Sequence, residues 1–175
     1  MSLTLQNSHP WDLSLKEAKK VQLELADKVI CKNETGRINY VAGVDVGFNL
    51  KKKISRAAIA VLSYPMLHLV EYAQAERETV FPYISGFLSF REAPVIIDAL
   101  NKLKKLPDII LCDGQGIAHP RRLGIASHLG ILTGIPSIGV AKSRLIGDYA
   151  ILAGEKGALV YLKHNNEIIG AVVRT

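Results

Sequence analysis

Two carboxylates stand at the ends of apolar runs in this chain, Asp45 in Tyr40-Val-Ala-Gly-Val-Asp45-Val-Gly47 and Asp113 in Asp108-Ile-Ile-Leu-Cys-Asp113-Gly114-Gln-Gly116. An apolar run of about five residues closed by glycine reads as a buried strand, which delivers each Asp at a strand end. An acid there is costly unless it is hydrogen-bonded or bound to a cation, so a pair of them points to a divalent metal site. Glu92, in Leu88-Ser-Phe-Arg-Glu92-Ala-Pro94, is a third acid whose longer side chain could reach an ion held by two aspartates. A plainer reading stands beside it. Ser89 and Glu92 have capping-box spacing, which would make Glu92 a structural acid, although Pro94 would then fall past the first turn, where proline is favoured.

The loop Gly114-Gln-Gly-Ile-Ala-His119-Pro120-Arg121-Arg122-Leu-Gly124 is the second rich feature. Its glycines let the backbone approach a ligand, and a helix opening at His119-Pro120 would add free N–H groups and two arginines, a combination suited to phosphate. The bland account makes Arg121 and Arg122 exposed first-turn residues; the adjacent Asp113 favours the anion site. Tyr83, in Phe81-Pro-Tyr83-Ile-Ser-Gly86, sits on a turn from which an aromatic can enter a base stack, though such turns more often simply pack. His68 and His128 lie among apolar residues and receive no role.

These groups must be positioned by one domain over residues 1–175, long enough to bury roughly 70% of its unfolded surface. The net charge of +6 fits a polyanion partner without requiring one. Cys31 and Cys112 form no Cys-x-x-Cys, and there is neither an N-terminal apolar signal core nor an uninterrupted spanning segment, so the expectation is a cytoplasmic protein with no membrane association.

Ser14 and Glu17 form a capping box ahead of Leu15, Ala18, Val21, Leu25 and Val29 at helical spacing. Three strand-like runs follow, 38–47, 56–63 and 67–80, with links short enough for antiparallel neighbours; Lys51-Lys52-Lys53 reads as a solvated hairpin tip. Then come a helix over 94–106, the strand ending at Asp113, a helix from His119 to about Gly134, a strand at 137–141, and a terminal hairpin turning at His164-Asn165-Asn166. Three antiparallel strands followed by alternating helix and strand make an α/β fold with a mixed sheet flanked by helices. If their strands are parallel neighbours, Asp45 and Asp113 meet at the carboxyl ends, where such sheets bind ligands.

Val44-Asp45-Val46, Pro82-Tyr83-Ile84 through Glu92, Asp113-Gly114-Gln115-Gly116 through Arg121-Arg122-Leu123-Gly124, and Ile138-Gly139-Val140-Ala141-Lys142 resemble, in order, the successive motifs of endonuclease V, the deoxyinosine 3′ endonuclease family. The likeness runs from about Asp12 to the last residue. It implies a ribonuclease H-like fold, a role in DNA repair, and Mg²⁺-dependent cleavage of a phosphodiester 3′ to deoxyinosine, Mn²⁺ substituting. It further implies that Asp45, Glu92 and Asp113 bind metal, that Lys142 lies near the scissile phosphates, and that Tyr83 is the wedge. Gly86, Leu88, Gly114, His119 and Ile125 would read the extruded hypoxanthine, with Arg121 also on the substrate. The partner is then deoxyinosine-containing DNA, with inosine in RNA a second target that no motif separates from it.

By the same resemblance the family continues past Val173-Arg174-Thr175 into a strand and a helix bearing a histidine, which this sequence is expected to lack, and Ser85 replaces a usual proline. Two other readings stay open: a related nuclease of the same fold, such as a junction resolvase or an excision-repair incision domain, and a binding-only inosine module. An actin-like or sugar-kinase ATPase would share Asp45-Val-Gly47, but needs two such domains.

Overall fold

The structure, a computed structural model, describes residues 3–33 and 35–175. Helix α1 (Leu15–Ala26) begins where the sequence says it should: the Ser14 side chain accepts from the Glu17 amide while the Glu17 carboxylate accepts from the Ser14 amide. Such a cap contributes about 1 kcal/mol. Its buried side is Ala18, Gln22 and Leu25, whereas Leu15 is exposed.

The sheet is built from β1 (Tyr40–Asn49), β2 (Ile54–Ser63), β3 (Leu69–Glu78), β4 (Ile109–Asp113) and β5 (Ser137–Val140), in the order β3-β2-β1-β4-β5. The first three strands are an antiparallel meander, and β4 and β5 add in parallel to the other side of β1. Helices α2 (Leu88–Leu100) and α3 (Ile125–Thr133) supply the crossovers that parallel strands require. A separate antiparallel hairpin, β6 (Leu159–His164) and β7 (Glu167–Val173), closes on Asn165 and Asn166, both at positive φ.

Alternation along the strands decides what lies on each face. Ala42 and Val44 of β1, Ala57, Ile59 and Val61 of β2 and Ile110 and Cys112 of β4 are buried in one core with α2 and α3. Gly43 and Asp45, one residue out of phase, are exposed on the opposite face.

Three elements differ from the sequence reading. Asp45 is not at a strand end: β1 runs on to Asn49 because β2 pairs with it along its whole length, and only its pairing with β4 stops at Val44. Helix α2 begins at Leu88 rather than Pro94, which leaves Pro94 inside the helix and unable to donate to the Phe90 carbonyl. Burial outweighs that loss, since Phe90 packs against Phe81, Phe87 and Trp11 and all but three residues of the helix are buried. Helix α3 begins at Ile125, not at His119-Pro120, because Arg122 adopts the left-handed conformation (φ 56°) and Gly124 is extended.

Candidate active site

The parallel pairing Val44↔Cys112 brings the next residues, Asp45 and Asp113, level on adjacent strands. They share the sheet face opposite the helices with Gly43, Leu111, Val140 and Lys142, around a cavity of about 940 Å³. Lys142, two residues beyond β5, donates from Nζ to Asp113 Oδ2 at 2.5 Å, and this contact raises the pKa of the ammonium. Asp45 Oδ1 accepts from the Val46 amide at 2.8 Å.

Glu92 reaches the same region from α2. It is 8% exposed, and its carboxyl forms no hydrogen bond or ion pair with any described residue. Burial first, and then the negative charges of Asp45 and Asp113, push its pKa up to about 8. Ser89 does not cap the helix; its hydroxyl is held by His128, so the capping-box reading of Glu92 fails. A carboxyl kept protonated by burial and by two nearby carboxylates, against the opposing charge of Arg91, marks a place short of positive charge. The donors are all carboxylate oxygens, which suit a hard divalent cation. Among the described residues no three acids stand close enough to share one ion as they are. A shared ion would require these side chains to move closer together and Glu92 to lose its proton.

Beside the acids, the Tyr83 turn and the glycine loop are tied together through one carbonyl. Gly86 O accepts from Gln22 Nε2 at 2.8 Å, His119 Nε2 at 3.0 Å and Arg121 Nη2 at 2.7 Å. The His119 tautomer follows from its partners: Nδ1 accepts from the Arg121 amide at 3.1 Å, so Nε2 carries the hydrogen. Burial lowers the His119 pKa to about 4, against the smaller raising effect of the Gly86 bond, which keeps the ring neutral near pH 7. Gln22, fully buried, also receives Arg121 Nε at 2.5 Å. Glycine is favoured at 86 because its φ is +77°, and an added Cβ would lie 2.9 Å from Arg121 Nη2 and displace it from Gly86 O.

This network alters the reading of the arginines. Arg121 is occupied by Gln22, Gly86 and the Phe87 ring, 4.4 Å from its guanidinium carbon. Arg122 is occupied by Glu167 and His164. Neither lies in the first turn of a helix. They are internal ties in place of the expected phosphate anchors. What remains for a ligand is backbone: α2 starts after Phe87 and α3 after Gly124 with no side-chain cap at either, so the Leu88 and Ile125 N–H groups have no capping side chain, while Ala126 N–H donates to Gln115 O and Phe90 N–H to Phe87 O. Gly114 lies against Ile125, whose Cγ2 would be 2.7 Å from an added Cβ, and a Cβ at Gly124 would meet Gln115 O at 2.2 Å. Hence Gly86 and His119 are hydrogen-bonded to one another, and Gly114 packs against Ile125. Tyr83 is 77% exposed at the turn, and Arg91 reaches towards it while stacking 4.2 Å over Phe48.

Two groups escaped the sequence reading. Gln22 left one signal, an amide on the buried stripe of α1. His128 belongs to a chain whose protons are fixed by its ends: His9 Nδ1 donates to Pro10 O, His128 Nε2 then donates to His9 Nε2 at 2.8 Å, and Ser89 Oγ donates to His128 Nδ1 at 2.9 Å. It joins the N-terminal segment and α3 to α2 three residues before Glu92.

The sequence and this fold match known proteins. The endonuclease V family model matches residues 23–175. A curated endonuclease V of Trichormus variabilis is 59% identical over 174 residues, covering 99% of this chain and 79% of that protein. The chain belongs to the endonuclease V family. The crystal structure of endonuclease V from Streptomyces avermitilis superposes with a TM-score of 0.88 at 38% identity, covering 99% of this chain and 76% of that one. The fold is thus ribonuclease H-like. The Ciona intestinalis endonuclease V, solved with a 24mer DNA containing an inosine, matches with a TM-score of 0.70 at 36% identity over 77% of this chain and 59% of that one. Endonuclease V proteins are phosphodiester-hydrolysing nucleases, generally metal-dependent. Among the described residues no helix is long and apolar enough to cross a membrane.

Proposed function

We propose that this chain cuts DNA on the 3′ side of deoxyinosine as a single catalytic unit, with Asp45, Glu92 and Asp113 holding Mg²⁺ or Mn²⁺. The observation that carries the reading is Glu92, an unpartnered buried carboxyl on α2 whose pKa is pushed up to about 8 by burial and by the charges of Asp45 and Asp113. A divalent ion bound there would lower the pKa of water and neutralise charge on the scissile phosphate and leaving 3′ oxygen. The protein's own residues do the rest. Lys142, freed from Asp113, offers its ammonium to the phosphate; Tyr83 fills the gap left by the extruded nucleotide.

Base choice follows from backbone polarity. Hypoxanthine presents O6 as an acceptor where adenine presents an amino donor, so N–H groups of Leu88 or Ile125 aimed at that edge would bind the first and leave the second unpaired, the Gly114 N–H being already given to Val140 O at 3.3 Å. Gly86 O, filled by three internal donors, shapes the pocket by position and has no lone pair to spare for the base. The free cysteines suit a cytoplasmic location.

The test is nicking of a duplex with one deoxyinosine, beside its deoxyadenosine, uracil and branched-junction counterparts, in Mg²⁺, Mn²⁺ and EDTA. Metal-dependent cuts confined to the inosine strand support the proposal, and Asp45→Ala or Asp113→Ala must abolish them. Inosine-specific binding without cleavage at any metal concentration would instead identify a binding module. Preference for the branched substrate would identify a related nuclease. An inosine-containing RNA strand in the same assay decides between the two nucleic acids.

A further inference from the structure

The β1–β2 connection carries Lys51, Lys52 and Lys53 in a tight turn, all exposed. Among the described residues none of the three forms an ion pair. Lysines at a sheet margin often guard an open edge against aggregation, but β2 lies between β1 and β3 and has no open edge. The turn is also built firmly. The Lys52 amide donates to Asn49 Oδ1 at 3.0 Å, and Lys53 O accepts from the Thr79 amide at 2.7 Å. Ser55 Oγ and Thr79 Oγ1 are 2.6 Å apart. Thr79 precedes Tyr83 by four residues, so the lysine tip and the aromatic turn are fastened to the same short segment. From the other side Arg91 spans Phe48, near the end of β1, and Tyr83, with its guanidinium carbon 4.2 and 6.0 Å from the two rings. Glu78 faces Ile54 next to the tip, leaving a local excess of two positive charges.

We propose that the Lys51–Lys53 tip binds the phosphodiester backbone of the duplex flanking the lesion on the side where Tyr83 enters. This inference rests on the function proposed above. β1 ends at Asn49, one residue beyond Phe48, and the lysines occupy the turn that follows it, so the tip meets phosphates that flank the base pocket. Its contribution is to affinity and register, with no part in chemistry or base choice.

The test compares the wild-type chain with the variant Lys51→Gln, Lys52→Gln, Lys53→Asn, asparagine being chosen because Lys53 has φ +52°. Binding to a fluorescent duplex with one deoxyinosine is titrated in Ca²⁺ at several salt concentrations. Losing three phosphate contacts should lower the salt slope by roughly 2.7, so that wild-type affinity falls roughly 40-fold more than the variant's between 50 and 200 mM. Lys104→Gln with Lys105→Gln, near the opposite end of β1 where Lys105 stacks on Tyr40, should leave the slope unchanged. Trimming base pairs from one flank of the lesion should weaken the wild type and leave the triple variant unaffected, whereas trimming the other flank should weaken both. The inosine-to-adenosine discrimination ratio should stay constant. Equal salt slopes, or equal sensitivity to trimming on both flanks, overturn the inference even where wild-type inosine binding is intact. Absence of inosine-specific binding by the wild type removes the proposed function and this inference with it.

Discussion

Replacing Glu92 by glutamine should make the metal-free protein more stable while destroying metal-dependent nicking. The folded-state pKa of Glu92 is raised from 4.5 to about 8. Between those values the folded protein holds a proton that the unfolded chain releases, so stability falls as pH rises, by about 1.4 kcal/mol per pH unit. At pH 7 the accumulated cost is about 3 kcal/mol. Glutamine has no charge to bury, although its amide also needs partners, so a net gain of about 1–3 kcal/mol is expected, or roughly 2–4 °C in Tm per kcal/mol for a chain of this size. Urea melts in EDTA at pH 6.5 and 8 provide the assay. Histidine contributions cancel in the difference between the two proteins, which should widen by roughly 1.5 kcal/mol over that interval. Mg²⁺ should narrow the gap by stabilising the wild type alone, more at pH 8 than at 6.5. A gap that stays constant with pH, or a variant stabilised by Mg²⁺ as strongly as the wild type, would refute the argument that Glu92 awaits a cation.

The histidine chain predicts the opposite pH trend. Burial lowers the His128 pKa from 6.5 to about 3, so its stabilisation is complete above 6.5 and is lost as pH falls towards 3. Melts in the Glu92→Gln background should show roughly 2 kcal/mol lost through His128 between pH 7.5 and 5, reduced in Glu92→Gln/His128→Gln. Gln22→Leu should cost about 1–3 kcal/mol by leaving Arg121 Nε and the Leu123 carbonyl unpaired, and lower the kcat/KM ratio of inosine over adenosine substrates. Gln22→Glu should restore the acceptor for Arg121 but not the donor to Gly86, a difference visible in the same ratio. Lys142→Ala should lower single-turnover nicking about 100-fold with little change in duplex binding, the pattern of a group acting on developing charge. Tyr83→Ala should weaken binding to duplex inosine more than to single-stranded inosine, because only the duplex must be held open.

Local chemistry carries much of this molecule. The Ser14–Glu17 cap, the strand alternation, the Asn165-Asn166 turn and the motif order all depend on neighbours within a few residues, so a linear reading could find them. Side-chain period placed Asp113 at the end of β4 and made Asp45 its companion once the strands were parallel. Other features depended on contacts distant in sequence. Helix α2 swallowed Pro94 because Phe90 gained a pocket among Phe81, Phe87 and Trp11 that no propensity rule contains. Arg121 and Arg122 read as phosphate ligands until Gln22, Gly86, Glu167 and His164 arrived to occupy them. Glu92 is the clearest case. Residue type and motif nominated it, but its raised pKa comes from burial and from charges on two separate strands, a sum that exists only after the sheet and α2 have packed.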